Sequence, residues 1–296
     1  MDIRESSKMI IASRKSNLAQ IQTELVIDII RRKYGLNCEK LLMETEGDLR
    51  LDVSLDKIGG KGVFVKDIEI LLANNKAHAA VHSMKDVPFA LDNIFEIAAI
   101  PVREDVRDAF VSGSERNFYE LLKGAKVGTS SKRRAAQVKL IRPDIEIVPL
   151  RGNIQTRIDK IKRDGMDGII LAAAGLKRLG LQDQISNYFN PLEFIPAVGQ
   201  GAIGIEVVSS SEYAEFFRKL DCPEVRICVE SERSFMRKLN GDCHTAIGAY
   251  ATLDGSLMNV TGIFQVGNTI IKKDITGPKE DYIRLGEMLA EKIILG

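Results

Sequence analysis

Residues 9–35 read MIIASRKSNLAQIQTELVIDIIRRKYG: an apolar run, a polar break, then apolar positions three or four apart closed by glycine. The run predicts a buried strand over 9–13. The periodic stretch predicts a helix over 17–33, with Leu18, Ile21, Leu25 and Ile29 at helical spacing and Gly35 as its stop. Strand followed by amphipathic helix is the repeating unit of a mostly parallel sheet covered on both faces.

The alternation continues outward from this stretch. A polar, glycine-rich segment over 46–62 is expected to be mobile, and a second helix follows through Ile68 and Leu72. A buried strand over 77–82 closes in Ser83-Met84-Lys85-Asp86-Val87-Pro88. From Asp108 the pattern restarts, with strands over 109–111, 125–128, 145–149 and 168–172 and helices over 131–141 and 154–163. Proline- and glycine-bearing connections at 101–107 and 193–201 are the expected crossovers between two α/β domains. Beyond about Asp221, a helix over 225–239, three alternating strands and a terminal helix predict a small α+β domain. The expected division is 1–101 with 197–218, then 102–196, then 219–296.

The 296 residues carry 42 Lys+Arg against 41 Asp+Glu, so no global charge points to nucleic acid. With 45% hydrophobic and 28% charged residues the chain reads as globular rather than disordered or coiled-coil. The longest apolar stretch falls short of the ~18 residues a membrane span requires, and the polar start lacks a secretory apolar region. A cytoplasmic location is therefore expected. Four cysteines without C-x-x-C spacing predict free thiols, with no disulfide framework and no metal site.

The basic residues fall in one kind of place. Arg14 follows the first strand, and Lys85 follows the strand through Val81. Arg133 and Arg134 open the helix after Thr129-Ser130-Ser131, and Arg151 precedes a helix that carries Arg157. A cation near a helix N-terminus opposes the macrodipole at a cost of about 0.3–1 kcal/mol, so six such placements point to a bound polyanion. Open α/β sheets bind ligands beyond the carboxyl ends of their strands, and these groups are expected to converge on one cleft between the two α/β domains. Arginine suits carboxylate or phosphate, but Gly59-Gly60-Lys61-Gly62 lacks the spacing of a P-loop. Gly199-Gln200-Gly201-Ala202-Ile203-Gly204 fits G-x-G-x-x-G, yet a strand follows it, which predicts a tight turn. His78 and His82 have the spacing of helical zinc ligands but lie in a predicted strand, so buried histidines are expected.

Several strings occur in order along nearly the whole chain: Ile11-Ala12-Ser13-Arg14, Gly59 through Lys66, Val81-His82-Ser83-Met84-Lys85-Asp86-Val87-Pro88, Val127-Gly128-Thr129-Ser130-Ser131 with Arg133-Arg134, Leu150-Arg151-Gly152-Asn153 with Thr156-Arg157, Ala174 through Gly180, and Pro196-Ala197-Val198-Gly199-Gln200-Gly201. Together they resemble the porphobilinogen deaminase family, also called hydroxymethylbilane synthases. The resemblance implies a cytoplasmic, monomeric transferase of tetrapyrrole (haem) synthesis that joins four porphobilinogens head to tail into hydroxymethylbilane with release of ammonia. It also implies two doubly wound, periplasmic-binding-protein-like α/β domains plus the small third domain, and neither nucleic acid nor membrane as a partner. The acetate and propionate arms of the pyrroles would supply the polyanion.

By residue match, a dipyrromethane cofactor would be attached through Cys243 and held by Ser83, Lys85, Thr129, Ser131, Arg133, Arg134 and Arg157. Substrate would be gripped by Arg14, Ser16, Arg151, Arg178 and Gln200, and Lys57, Lys61 and Phe64 would belong to a lid loop. Asp86 would be the catalytic carboxylate. Loss of the aminomethyl nitrogen leaves a pyrrole-stabilised cation, and an ionised Asp86 among cations is expected to act mainly by electrostatic stabilisation. Around the thiol the family commonly shows Gly-Gly-Cys-Gln, whereas this chain reads Gly241-Asp242-Cys243-His244. A non-catalytic anion receptor would explain the arginines equally well, but not a third domain carrying a loop thiol.

Overall fold

In the computed structural model, which describes residues 8–44, 65–114, 116–241 and 245–295, Ser16 lies in extended backbone and its hydroxyl accepts the Ala19 amide at 3.4 Å. It thereby caps helix α1 (Asn17–Tyr34). Gly35, at φ 69, ends the helix with its amide on the Arg31 carbonyl, and Arg31, Arg32 and Lys33 complement the dipole in the last turn. Strand β1 (Met9–Arg14) precedes this helix and β2 (Cys38–Met43) follows it. Next come α2 (Lys66–Ala73), β3 (Ala79–Ser83) and β4 (Phe95–Arg103). The chain continues through β5 (Asp108–Ser112), β6 (Lys126–Gly128), α3 (Lys132–Ile141), β7 (Glu146–Val148), α4 (Ile154–Arg163), β8 (Gly168–Ala172), α5 (Ala173–Arg178) and β9 (Asn187–Tyr188). It then forms β10 (Ala202–Val208), α6 (Ala214–Arg218) and α7 (Pro223–Lys238), and closes with β11 (Ile247–Asp254), β12 (Leu257–Val266), β13 (Thr269–Pro278) and α8 (Tyr282–Ile294).

The chain divides into two units, Met1–Arg103 with Ala202–Arg226 and Glu104–Gly201 with Ile227–Gly296. The first unit holds a five-stranded sheet in the order β2-β1-β3-β10-β4. Alternation along the strands feeds two cores. Ile11, Ala79 and Val81 pack with Val26, Ile27 and Ile30 of α1, while Ala12 and Ala80 pack with Ile68 and Leu72 of α2. The sheet is therefore covered on both faces.

Two local expectations are corrected. The sheet is less parallel than the pattern suggested: β1 runs parallel to β2 and β3, but β10 is antiparallel to both β3 and β4. β10 arrives from the 193–201 connection rather than through a crossover helix, and only the helix route enforces the parallel sense. The face that α1 buries is also offset by one residue from the predicted apolar stripe. It consists of Ala19, Gln22, Thr23, Val26, Ile27 and Ile30, whereas Leu25 is 39% exposed.

The second unit holds a sheet of the same plan, β7-β6-β8-β5-β9, in which β6 runs parallel to β7 and β8, and β5 lies antiparallel to β8 and β9. Phe110, Phe118, Phe189 and Phe194 build one of its cores through successive ring contacts, with centroids 4.4–5.5 Å apart. The same unit contains the antiparallel sheet β11-β12-β13, which packs Val260 and Ala249 against Phe235 of α7 and Leu289 and Ile293 of α8.

Candidate active site

In the first unit the carboxyl ends of β1 and β3 carry the polar groups. Arg14 ends β1 and Ser83 ends β3, and Met84–Asp86 form a single 3-10 turn closed by the Val87 amide on the Met84 carbonyl at 3.2 Å. Met84 is 1% exposed and anchors this turn. It fits because Gly204 on β10 has no side chain: a Cβ there would stand 2.3 Å from the Met84 sulfur. With Met84 pinned, Asp86 is presented to solvent while Lys85 is half-buried. Gln22 reaches out of α1 to exchange hydrogen bonds with the Ser83 hydroxyl, Nε2 donating at 2.8 Å and Oε1 accepting at 3.2 Å. Arg14, Gln22, His82, Ser83 and Asp86 line one small pocket of about 20 Å³, room for a single water. Ser16, the α1 cap, lies six residues before Gln22.

Behind the pocket, the His82 Nε2 stands 2.9 Å from the Glu206 carboxylate, which is wholly buried on β10. Sequence reading treated His82 as a core histidine and passed over Gln22 and Glu206. A charged residue within the apolar run Ala202–Val208, and two polar residues on the buried face of a helix, were the available signals.

In the second unit, two loops sit at the carboxyl ends of the adjacent parallel strands β6 and β7. Ser130 joins them, its hydroxyl donating to the Leu150 carbonyl and accepting the Leu150 amide, both at 2.8 Å. Ser131 caps α3 and Asn153 caps α4, and neither helix has an acidic residue in its first turn. The Thr129 hydroxyl accepts the Ser131 amide at 3.2 Å, while Arg157 donates to the Gly152 carbonyl at 2.6 Å. Arg151 and Arg157 are half-buried at these helix starts, where amide groups and dipoles favour an anion.

Arg133 and Arg134 have a different setting from Arg151. Both are buried and both grip Asp108, which is 0% exposed: Arg133 Nη1 reaches Oδ2 at 2.7 Å, and Arg134 reaches Oδ1 through Nε at 2.9 Å and Nη2 at 2.7 Å. Arg133 also donates to the Ile195 carbonyl and Arg134 to the Ile170 carbonyl. Burial would raise the Asp108 pKa, but the two guanidinium charges and their hydrogen bonds more than offset it and hold it at about 2. Burial likewise pulls the Arg133 pKa down against the attraction of Asp108. Gln200 joins this network, with Nε2 on the Val106 carbonyl at 2.7 Å and on Asp108 at 3.1 Å. Arg178 donates to the Gly201 carbonyl at 2.7 Å, and burial lowers its pKa. These four side chains therefore make their contacts within the second unit's interior and at its chain crossovers. Asp108 itself was missed, although a carboxylate opening a buried strand was the signal.

Cys243, Lys57, Lys61 and Phe64 lie outside the described residues, as do Asp242, His244 and the 46–62 segment. Among the described residues no helix is long and apolar enough to cross a membrane.

Comparison with known proteins gives a consistent answer. Residues 9–215 match the family described as "Porphobilinogen deaminase, dipyromethane cofactor binding domain", and residues 226–294 match "Porphobilinogen deaminase, C-terminal domain". The porphobilinogen deaminase of Clostridium kluyveri is 62% identical over 286 residues, covering 97% of this chain and 99% of that protein. Those of Clostridium botulinum (strain Langeland) and Clostridium perfringens are each 59% identical, covering 96% and 97% of this chain and 98% and 99% of theirs.

Proposed function

Because the chain belongs to the porphobilinogen deaminase family, we propose that the pocket at the ends of β1 and β3 is its reaction centre and that Asp86 is the catalytic carboxylate. The enzyme polymerises four porphobilinogens into hydroxymethylbilane with release of ammonia, and it binds a dipyrromethane cofactor. When bound, the cofactor supplies the primer whose free α-carbon is the point of the first addition.

The donor set of the second unit suits a ligand with several carboxylates. Two helix starts without acids, the Thr129 and Ser131 hydroxyls, and the Arg151 and Arg157 guanidiniums offer hydroxyl, backbone and fork-shaped donors to acetate and propionate arms. Arg133 and Arg134, in the first turn of α3, add positive charge that Asp108 neutralises in part. Cys243 is the attachment point. Arg14 and Lys85 orient the acidic arms of porphobilinogen in the first unit, and Ser83, fixed by Gln22, adds a hydroxyl.

Departure of the aminomethyl nitrogen leaves positive charge on the substrate pyrrole. Arg14 in the pocket and Lys85 beside Asp86 oppose that charge, so a carboxylate must face it. Asp86 fills this role as the carboxylate lining the pocket, set on a turn that Met84 holds rigid. A preorganised anion at a site of developing charge is worth roughly 3–4 kcal/mol of barrier by analogy with single oxyanion-hole donors. The enzyme works as a cytoplasmic monomer, with neither nucleic acid nor membrane as a partner.

The observation that carries this reading is the presence of Asp86, Arg14 and Ser83 in one pocket. Intact mass and turnover together test it. The purified protein weighs more than its 32.8 kDa chain by a dipyrrole, and Cys243→Ser abolishes the increment. Asp86→Asn keeps the increment and the KM but loses about 10²–10³ in kcat. Near-normal turnover of Asp86→Asn removes Asp86 from the mechanism.

A further inference from the structure

The Glu206 carboxylate is the least expected group in the first unit. It sits in the interior strand β10, wholly buried, with one oxygen on His82 Nε2 at 2.9 Å. Its other oxygen has no hydrogen-bond partner among the described residues. A buried carboxylate left half satisfied destabilises the fold, and a hydrophobic residue would fill the same place in a sheet whose other β10 side chains are apolar.

Glu206 and His82 project from the face of the sheet that α2 covers. From α2 they are faced by Glu69, whose carboxyl is pushed up by burial and by Glu206. Asp92 and Lys66 also act on that glutamate. On its other side His82 lines the same pocket as Arg14 and Asp86, with Lys85 next to Asp86 in the turn. The pair thus joins a sealed carboxylate to the reaction pocket through a single imidazole.

We propose that the His82–Glu206 pair is the proton store of the Asp86 pocket, taking up the proton shed when each new pyrrole is joined and returning it to the departing ammonia. The balance closes at every addition. The C–N bond of the aminomethyl group breaks with its electrons going to nitrogen. The new C–C bond forms from the α-carbon, and the α C–H electrons return to the pyrrole ring as that hydrogen leaves as a proton. The imidazole accepts it, Glu206 offsets the charge, and ammonia carries it away as ammonium. This division of labour leaves Asp86 free to remain an anion throughout. It rests on the assignment of the pocket above, and His82 is a positioning and relay residue rather than one that holds the pyrroles.

Glu206→Gln keeps the shape and the hydrogen bond to His82 but cannot offset a positive ring. The expected result is a drop of about 10²-fold in kcat, KM within about threefold, and an acidic limb of the kcat–pH profile displaced to lower pH. The chain has three histidines, so ¹⁵N-imidazole NMR follows His82 without turnover. Its ring signals in the wild type report a proton shared with Glu206, and they revert to those of an isolated imidazole in Glu206→Gln. Unchanged kcat and profile, or ring signals insensitive to the substitution, overturn the proposal. If Glu206→Gln fails to fold, His82→Asn is read in the same way, and failure of both to fold makes the pair purely structural and also overturns it. Asp86→Asn separates the two ideas: a dead Asp86→Asn beside a fully active Glu206→Gln refutes the proton store alone.

Discussion

Asp108 decides what the two most prominent arginines of the chain can do. It is fully buried between Arg133 and Arg134, with Gln200 as a further donor. Removing one member of such a cluster leaves uncompensated charge, so Asp108→Asn is expected to cost about 3–5 kcal/mol, read as a fall in Tm. The folded pKa of about 2 lies below the ordinary Asp value of about 3.9. Asp108 therefore contributes about 2 kcal/mol that is fully present above pH ~4 and is lost as pH falls through about 2. Acid titration of the wild type followed by circular dichroism should show unfolding in that window, and Asp108→Asn should lack this component. The sequence made the arginines visible because their positions break a helix-dipole preference. It left Asp108, Gln22 and Glu206 invisible because their partners lie about 20 to 120 residues away in the chain, where no local pattern reaches.

At the scale of elements, the turn Met84–Asp86 and the strand β10 beneath it form one device. Gly204 admits Met84, and Met84 fixes the turn that displays Asp86. Gly204→Ala would bring a methyl to 2.3 Å from the Met84 sulfur, and Met84 at 1% exposure has nowhere to move without lifting the turn. Misplacement by an ångström at a reaction centre costs up to about 10²-fold. The variant is expected to lose at least tenfold in kcat with its cofactor mass intact, and wild-type kcat would mean that Met84 absorbs the methyl alone. Pro88 was legible as the close of its segment, but Gly204 read as part of a turn and lies inside β10, and its fit to Met84 was not legible because strand register is not written in either segment. Helix α1 shows the same limit. Its existence followed from period and cap, yet the buried stripe ran through Gln22 and Thr23 rather than Ile21 and Leu25, since a polar residue with a partner at the strand end outcompetes an apolar one pointing to solvent.

At the scale of the molecule, each chain crossover ends by delivering the antiparallel strand that completes a sheet. The connection after β4 leads into β5, and the connection after β9 leads into β10. The first sheet is consequently discontinuous in sequence: β10 lies between β3 and β4 and pairs with both. Ile203, Ile205 and Val207 of β10 are each 0% exposed, and full burial of such side chains is worth about 1.5–3 kcal/mol apiece. Together they supply about 5–9 kcal/mol, as much as the whole stability of many domains. A fragment ending at Arg103 therefore keeps β1 to β4 but has nothing to join β3 to β4, and its buried faces stay open. It should remain unfolded by circular dichroism and show unprotected amides in hydrogen exchange. The same fragment linked through a short flexible spacer to residues 202–226 should regain cooperative unfolding, because β10 and α6 return both the pairing and the Phe217 contact with the α1 face. A folded 1–103 fragment would show that β10 is an accessory strand, and with it Glu206 would lose its claim to a central position behind the Asp86 pocket.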